Sequence, residues 1–259
     1  MRVPRTINVT RYVTPLREGG SLPAIVEADD DGLYVLKFRG AGQGARALIA
    51  ELVSGELARA LGLQVPEIVF ANLDPDLART EPDPEIHALI HDSAGLNLAL
   101  DFLPGSVTYD PVVQHPPADV ASRIVWFDAY VTNVDRTARN TNMLNWHRQL
   151  WLIDHGATLY FHHSPGWESE PDRARRQFPA LKDHVLLRYA TTLNEVDENL
   201  SRALTNDVIT GVLDLVPDSW LSSENASLVP VDVRRAYCRY LVDRLERPRP
   251  FLGEAVRAS

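Results

Sequence analysis

The sequence predicts an α+β fold with two lobes, a β-rich N-terminal lobe over residues 1–104 and a mostly helical C-terminal lobe over residues 105–259. Two observations support this prediction. Apolar residues in the first part occur mainly in short strand-like segments, whereas later segments carry them at helical spacing. The chain has 259 residues, of which 45% are hydrophobic, and this is enough for one large domain of two lobes.

In the N-terminal lobe the pattern predicts a sheet and one main helix. The first strands are interrupted by REGGS at residues 17–21 and by DDDG at residues 29–32, and the second is typical of a hairpin turn. ARALIAELVSGELARALG has helical periodicity and ends at Gly62, a typical C-cap. VPEIVFANL and GLNLALDFL are predicted strands, separated by a polar, proline-rich loop over residues 74–85.

In the C-terminal lobe ADVASRIVWFDAYVTN predicts a helix, and so do residues 207–215 and 231–245. MLNW and QLWLID predict a hairpin that turns at His147 and Arg148. Residues 164–183 are polar and contain proline, which predicts a mobile surface loop.

Composition excludes several classes of function. The net charge is -9 and no basic run is present, so nucleic acid is not expected as a partner. No apolar run reaches the roughly 20 residues of a membrane span, and the N-terminus lacks a signal-peptide core, so we expect a cytoplasmic protein without membrane attachment. The single cysteine, Cys238, excludes an internal disulfide framework and a cysteine-rich zinc site.

Lys37 is unusual because the 26 basic residues include only one other lysine, Lys182. It lies in the apolar strand segment LYVLKF, where alternation places it on one face with Leu33 and Val35. A strand that is apolar on both faces is expected at the centre of a sheet, and a buried ammonium there needs an anion. Composition alone leaves open a strand-end lysine that extends to water.

Polar side chains crowd around the predicted hairpin, with carboxylates and amides on both sides of it. Phosphoryl transfer from ATP needs a cation for the phosphates, a carboxylate that holds it, oxygen ligands for Mg²⁺ and a carboxylate that takes the acceptor's proton. Five side chains on separate predicted elements supply these groups, in the order Lys37, Glu51, Asp135, Asn140 and Asp154.

The spacing D-R-x-x-x-N from Asp135 to Asn140, followed by LIDHG with Asp154, resembles the catalytic and metal-binding segments of HipA-like kinases, which are relatives of protein kinases and phosphatidylinositol kinases. AELVSGELARALGLQVP resembles the family's helix that carries the glutamate partner of the lysine, with Glu51 at the matching position. The resemblance covers about residues 17–163 and implies a two-lobed protein kinase-like fold, in a short form without the extra N-terminal subdomain of HipA toxins.

The resemblance also implies ATP and Mg²⁺ as cofactors and gives each side chain a role. Asp135 would be the catalytic base, Lys37 with Glu51 the phosphate-binding pair, and Asn140 and Asp154 the Mg²⁺ ligands. The segment LDFLP would be the hinge that contacts adenine and the short glycine loop would cover the phosphates, which adds Asp101, Phe102, Leu103, Gly19, Gly20 and Ser21. The motifs D-F-G and H-R-D are absent, and Asn142 competes with Asn140, although the five-residue spacing from Asp135 favours Asn140.

Some of these residues also fit simpler explanations. Asp135 suits a turn cap, and Arg136 and Arg139 suit either phosphate or neighbouring carboxylates such as Asp128. Adjacent histidines in YFHH cannot both face one site from a strand, so zinc is not expected.

The predicted function is transfer of the γ-phosphoryl group of ATP to a hydroxyl, with serine or threonine of a protein as first choice and a small alcohol or lipid headgroup as second. Two other classes remain open: a degenerate kinase fold that acts as a nucleotide sensor or scaffold, and a hydrolase with paired carboxylates. A regulatory protein partner belongs to the same set of expectations.

Overall fold

The computed structural model describes residues 3–16, 22–170, 172–222 and 228–253. Its N-terminal part contains a closed barrel with the strand order β1-β2-β3-β5-β4, in which β1 and β4 are parallel and the other neighbours antiparallel. The strands are β1 (Thr6–Pro15), β2 (Ala24–Ala28), β3 (Leu33–Lys37), β4 (Ile68–Leu73) and β5 (Gly95–Asp101).

Helices dominate the C-terminal part, where a three-stranded sheet of order β6-β7-β8 also lies. The strands of this sheet are β6 (Val107–Thr108), β7 (Met143–Trp146) and β8 (Gln149–Leu152). The described helices of the whole chain are α1 (Ala45–Ala60), α2 (Pro84–Asp92), α3 (Ala118–Tyr130), α4 (Leu193–Ala203), α5 (Asn206–Leu213), α6 (Asp218–Ser222) and α7 (Pro230–Leu245). Within the described ranges, no helix combines the length and the apolar character that a bilayer crossing requires.

Strand β3 pairs with β2 on one side and with β5 on the other, which confirms its predicted central position. Tyr34 and Leu36 point into the barrel core and are buried. Leu33, Val35 and Lys37 lie on the outer face and stay partly exposed. This outer face therefore remains accessible while neighbouring strands hold its backbone on both sides.

Helix α1 is buried almost all round, because 11 of its 16 residues are buried. Its apolar residues share one core with α3, α5 and α7, whereas the barrel interior forms a separate core. Gly62 follows the helix with φ +72°, so the predicted C-cap is confirmed. The helix thus joins the core of the C-terminal part, and the lobe boundary at residues 104 and 105 stays a prediction.

The predicted hairpin is present as β7 and β8, and its turn residues His147 and Arg148 have φ of 48° and 63°. Positive φ at both central residues is typical of a type I′ turn.

Two other predictions were incomplete. The sequence missed α2, α4 and α6, although Asp83 caps α2 by accepting from the amide of Glu85. In the segment 164–183 the described residues form three short 3₁₀ turns, at 167–169, 173–175 and 179–183, and its mobility stays a prediction. Trp167, Phe178 and Leu181 are buried there, so a few apolar anchors hold a mostly polar segment against the core.

Candidate active site

Lys37, Glu51 and Asp154 meet although they come from β3, α1 and the segment after β8. The Nζ of Lys37 lies 2.7 Å from Oδ1 of Asp154 and 3.7 Å from Oε2 of Glu51. The side chain of Glu51 is 1% exposed and that of Asp154 is 37% exposed. The contact between Lys37 and Glu51 that the sequence predicts is therefore present, and the lysine has a second, more accessible carboxylate beside it.

Opposite charges keep this buried cluster ionised. Burial alone would lower the pKa of Lys37, but Glu51 and Asp154 outweigh burial and raise it. Burial alone would raise the pKa of Glu51, but Lys37 and His155 outweigh burial and lower it to about 2. The site thus holds an ammonium between two carboxylates, with one carboxylate oriented toward solvent.

His155 is a site residue that the sequence analysis missed. It is fully buried, and its Nδ1 lies 3.3 Å from Oε1 of Glu51. Nearby, the hydroxyls of Ser54 and Thr158 lie 2.6 Å apart, and Thr158 donates to the carbonyl of His155 at 2.7 Å. These polar contacts fix α1 to the segment that follows Asp154. The position of His155 next to Asp154 in LIDHG was the available signal.

Asp135 lies in the loop before the hairpin and accepts two side-chain hydrogen bonds on one oxygen. The Nδ2 atoms of Asn140 and Asn142 donate to its Oδ2 at 2.7 and 3.1 Å, and its own amide donates to Asn133 at 3.0 Å. No described residue bonds to its Oδ1. The carboxylate is therefore oriented by amides on one side and left free on the other.

The hairpin brings its two ends together as the sequence predicts. Met143 pairs with Leu152, and the amide of Ile153 donates to the carbonyl of Asn142 at 3.1 Å. Asp154 follows with φ +55°, a left-handed conformation that is uncommon outside glycine and is often found at functional sites. Asn142 is buried and Asn140 is exposed, and both contact Asp135, so the preference for Asn140 as metal ligand stays a prediction.

A model of a known protein family matches most of the sequence. The sequence model of HipA-like kinases matches residues 9–249. The chain belongs to the HipA-like kinase family. The match runs well beyond the region of about residues 17–163 in which the motifs show the resemblance, and it includes α4, α5 and α7.

Solved structures with a similar fold are also kinases. A Helicobacter pylori proinflammatory kinase, CtkA, has a TM-score of 0.55 and 12% identity, with 98% of each chain covered. The Golgi casein kinase with Mn/ADP bound has a TM-score of 0.48 and 12% identity over 94% of this chain and 72% of that chain. A comparison with curated proteins found no match. The likeness to CtkA shows the fold alone, and it confirms the predicted protein kinase-like fold of this HipA-like kinase.

The backbone amides of the predicted hinge residues are mostly engaged in hydrogen bonds. The amide of Asp101 donates to Glu67 at 2.9 Å and that of Phe102 donates to Leu33 at 3.0 Å. Within the described part of the chain, the amide of Leu103 has no acceptor and is the free donor of this segment. The three residues stay candidates for adenine contact, and the predicted phosphate loop of Gly19, Gly20 and Ser21 lies outside the described residues.

Arg136 does not face the site of the kinase, because it is buried against Asp128. Its Nε donates to Oδ2 of Asp128 at 2.6 Å, and a second nitrogen donates to the carbonyl of Asn142. Nδ1 of His184 accepts from the amide of Leu186, so its Nε2 donates to Asp128 at 2.9 Å. Of the two alternatives for Arg136, phosphate or a neighbouring carboxylate, the structure thus shows the carboxylate.

This buried pair positions the loop that carries the predicted base. Burial alone would raise the pKa of Asp128, but Arg136 and His184 outweigh it and hold the pKa well below its usual range. The loop of residues 131–142 is therefore anchored to α3 and to the segment around His184. Arg139 is exposed and stays available to a substrate.

The backbone at Gly156 does not itself require glycine, because its φ is not positive and an added Cβ would make ordinary contacts at 3.7 Å with Asp154 and 3.8 Å with Ala47. His162 and His163 lie on a 3₁₀ turn rather than a strand, and their Nε2 atoms approach to 3.1 Å. The geometric argument against their meeting was therefore wrong.

The residues of the candidate site suit Mg²⁺ bound together with a nucleotide. In the described ranges, no group of three or more His, Cys, Asp or Glu side chains could hold a metal ion. Mg²⁺ needs less than that from the protein, since one or two oxygen ligands and the substrate's phosphates suffice. Asp154 offers an accessible carboxylate, and Asn140 uses its nitrogen for Asp135, which leaves its amide oxygen for a cation.

Proposed function

We propose that this HipA-like kinase transfers the γ-phosphoryl group of ATP, in the presence of Mg²⁺, to a hydroxyl group of a protein serine or threonine. The observation that carries the proposal is the ammonium of Lys37, held between Glu51 and Asp154 at 3.7 and 2.7 Å. A mostly buried lysine, 12% exposed, that a helix glutamate holds beside an accessible carboxylate is the arrangement that phosphate binding requires.

Each residue of the proposed site has one task. Lys37 binds phosphate oxygens, and Glu51 with His155 behind it keeps the ammonium in place. Asp154 and Asn140 would hold Mg²⁺, which neutralises charge on the phosphates when it is bound. The hinge backbone at residues 101–103 would contact adenine.

Asp135 acts on the acceptor. Its free Oδ1 accepts the proton of the hydroxyl while the acceptor oxygen forms a bond to the γ-phosphorus. The bond from that phosphorus to the oxygen that bridges it to the β-phosphate breaks, and ADP leaves with that oxygen. Asn140 and Asn142 orient the carboxylate through Oδ2.

The need for ATP and the single cysteine support a cytoplasmic location as part of the proposal. A regulatory protein partner stays a prediction.

The test uses ATP labelled at the γ-phosphate, Mg²⁺ and a lysate of the protein's own host as acceptor. The native chain, Asp135→Asn and the matched control Asp92→Asn are compared, because Asp92 is an exposed aspartate outside the site. We expect protein-bound label with the native chain and the control, and a loss of roughly 100-fold or more with Asp135→Asn. Label in a small molecule would instead indicate that the acceptor is a small alcohol or a lipid headgroup. Label only in inorganic phosphate would indicate a hydrolase, and nucleotide binding without turnover in all three proteins would indicate a sensor.

A further inference from the structure

A cavity of about 470 Å³ lies beside the predicted hinge, two of whose residues line it, and apart from the five proposed catalytic and metal-binding side chains. Its walls come from Arg59 in the last turn of α1 and residues 62–67 after it, from Asp101 and Leu103 at the predicted hinge, and from Trp146 and Trp151 of the hairpin. Strand β5 lies between β3, which carries Lys37, and β4, which follows residues 59–67. The cavity therefore opens on the β4 side of the hinge, and none of the five proposed catalytic and metal-binding side chains lines it.

Two indole rings form one wall. The ring centroids of Trp146 and Trp151 lie 5.2 Å apart at an interplanar angle of 76°, so the edge of one ring points at the face of the other. Nε1 of Trp146 donates to the carbonyl of Pro104 at 3.0 Å, which holds that ring in place. A tryptophan face attracts cations through its negative quadrupole, more strongly than other aromatic side chains do.

Among the charged groups of the cavity, one carboxylate has no salt-bridge partner in the described part of the chain. Arg59 lies 3.5 Å from Glu56, and Glu67 lies 3.3 Å from Arg5, so these four side chains are paired. Asp101 forms no hydrogen bond through its carboxylate and no ion pair with any residue that the structure describes. Burial and the nearby Glu67 raise the pKa of Asp101 and outweigh the charge of Arg5, which lowers it.

We propose that this cavity binds a small planar organic cation of the amidinium or guanidinium class, with its N–H groups on Asp101 and its flat body against Trp146 and Trp151. A planar fork of N–H donors matches a carboxylate in two parallel hydrogen bonds. A volume of about 470 Å³ suits a small molecule, since ligand pockets are typically about 300–1,000 Å³. The cation would supply the salt-bridge partner that Asp101 lacks.

Benzamidine and benzamide provide a matched pair of probes, because they share size and shape and only benzamidine is charged. Binding to the full chain is measured by isothermal titration calorimetry at neutral pH. We expect benzamidine to bind roughly tenfold more tightly than benzamide. Asp101→Asn should remove this preference, whereas the control Asp92→Asn should keep it. Trp146→Ala should weaken benzamidine, and Trp146→Phe, which keeps an aromatic face, should weaken it less.

A further variant distinguishes binding of benzamidine in this cavity from binding at the proposed active site. Asp154→Asn changes the proposed metal ligand and should leave benzamidine binding unchanged, whatever becomes of the kinase activity. Equal affinities for the two probes in the native chain would overturn the proposal. So would a loss of benzamidine binding in Asp154→Asn together with its retention in Asp101→Asn, since the probe would then occupy the nucleotide site. If Asp101→Asn does not fold, nuclear Overhauser effects from benzamidine to the indole protons of Trp146 in the native chain decide the location.

Discussion

The ammonium of Lys37 and the carboxylate of Asp154 lie 2.7 Å apart although 117 positions separate them in the chain. Lys37 is on the outer face of a central strand, and Asp154 is in a left-handed conformation directly after the hairpin. The lysine keeps Glu51 as a second partner at 3.7 Å. Asp154 can therefore turn to a metal ion without leaving the ammonium unpaired.

We expect metal binding by this protein to depend on nucleotide. Asp154 and Asn140 offer too few oxygens to hold a divalent cation tightly, and phosphate oxygens complete its coordination. Free Mn²⁺, followed by electron paramagnetic resonance, should bind weakly to the protein alone and at least about tenfold more tightly with ADP present. Asp154→Asn should remove the gain and Asp92→Asn should preserve it. Tight Mn²⁺ binding without nucleotide would show that other ligands hold the metal.

His155 is expected to position Glu51 and, through it, Lys37. His155→Ala leaves Oε1 of Glu51 without its neighbour at 3.3 Å, so kcat/KM should fall by about tenfold. His155→Asn carries an amide donor near the position of Nδ1 and should recover part of the activity. The exposed His91→Ala is the control. Equal losses in the alanine and asparagine variants, at unchanged thermal stability, would contradict a role through that hydrogen bond.

The buried pair of Asp128 and Arg136 should contribute strongly to stability. Asp128→Asn leaves the Arg136 guanidinium buried without its charge partner, and such a change typically costs about 3–5 kcal/mol of the free energy of unfolding. Urea unfolding at pH 7 measures the difference. Asp76→Asn, which breaks an exposed pair with Arg79, is the control and should have little effect.

The same pair predicts how stability changes in acid. The pKa of Asp128 is depressed in the folded state, so its contribution is fully present above the ordinary value of 3.8 and is lost as pH falls below it. The contribution of Glu51 to stability is likewise lost as pH falls from its ordinary pKa of 4.5 to its folded-state pKa of about 2. The free energy of unfolding should therefore fall from pH 5 to pH 3, and Asp128→Asn should show a shallower fall. An identical pH dependence in both proteins would exclude Asp128 as a source.

The sequence was informative where one residue type was rare or one spacing was distinctive. Lys37 was recognisable because lysine is scarce and lies within an apolar strand, and Asp135 and Asp154 because they flank a hairpin with a clear turn. These features are local in the chain. The order of the five side chains along it then matched a known family.

The contacts that support the site could not be predicted in the same way. The pairing of His184 with Asp128 and that of His155 with Glu51 join positions 56 and 104 residues apart, and no periodicity reveals them. The 3₁₀ turns in the segment 164–183 were missed because the buried Trp167 and Phe178 are isolated among polar residues. Whether such a side chain is buried depends on the three-dimensional surface against which it packs, and the neighbouring sequence does not show that surface.

Gly62 and Gly156 should respond differently to alanine, because only Gly62 adopts a left-handed conformation. At φ +72° an added Cβ is strained, so Gly62→Ala should lower the free energy of unfolding by about 1–2 kcal/mol. Gly156→Ala meets no contact closer than 3.7 Å and should change stability by less than about 0.5 kcal/mol. Thermal and urea unfolding of both variants test this difference. If Gly156→Ala keeps its stability and still loses ATP turnover, then a bound nucleotide needs the space beside Asp154 that glycine leaves open.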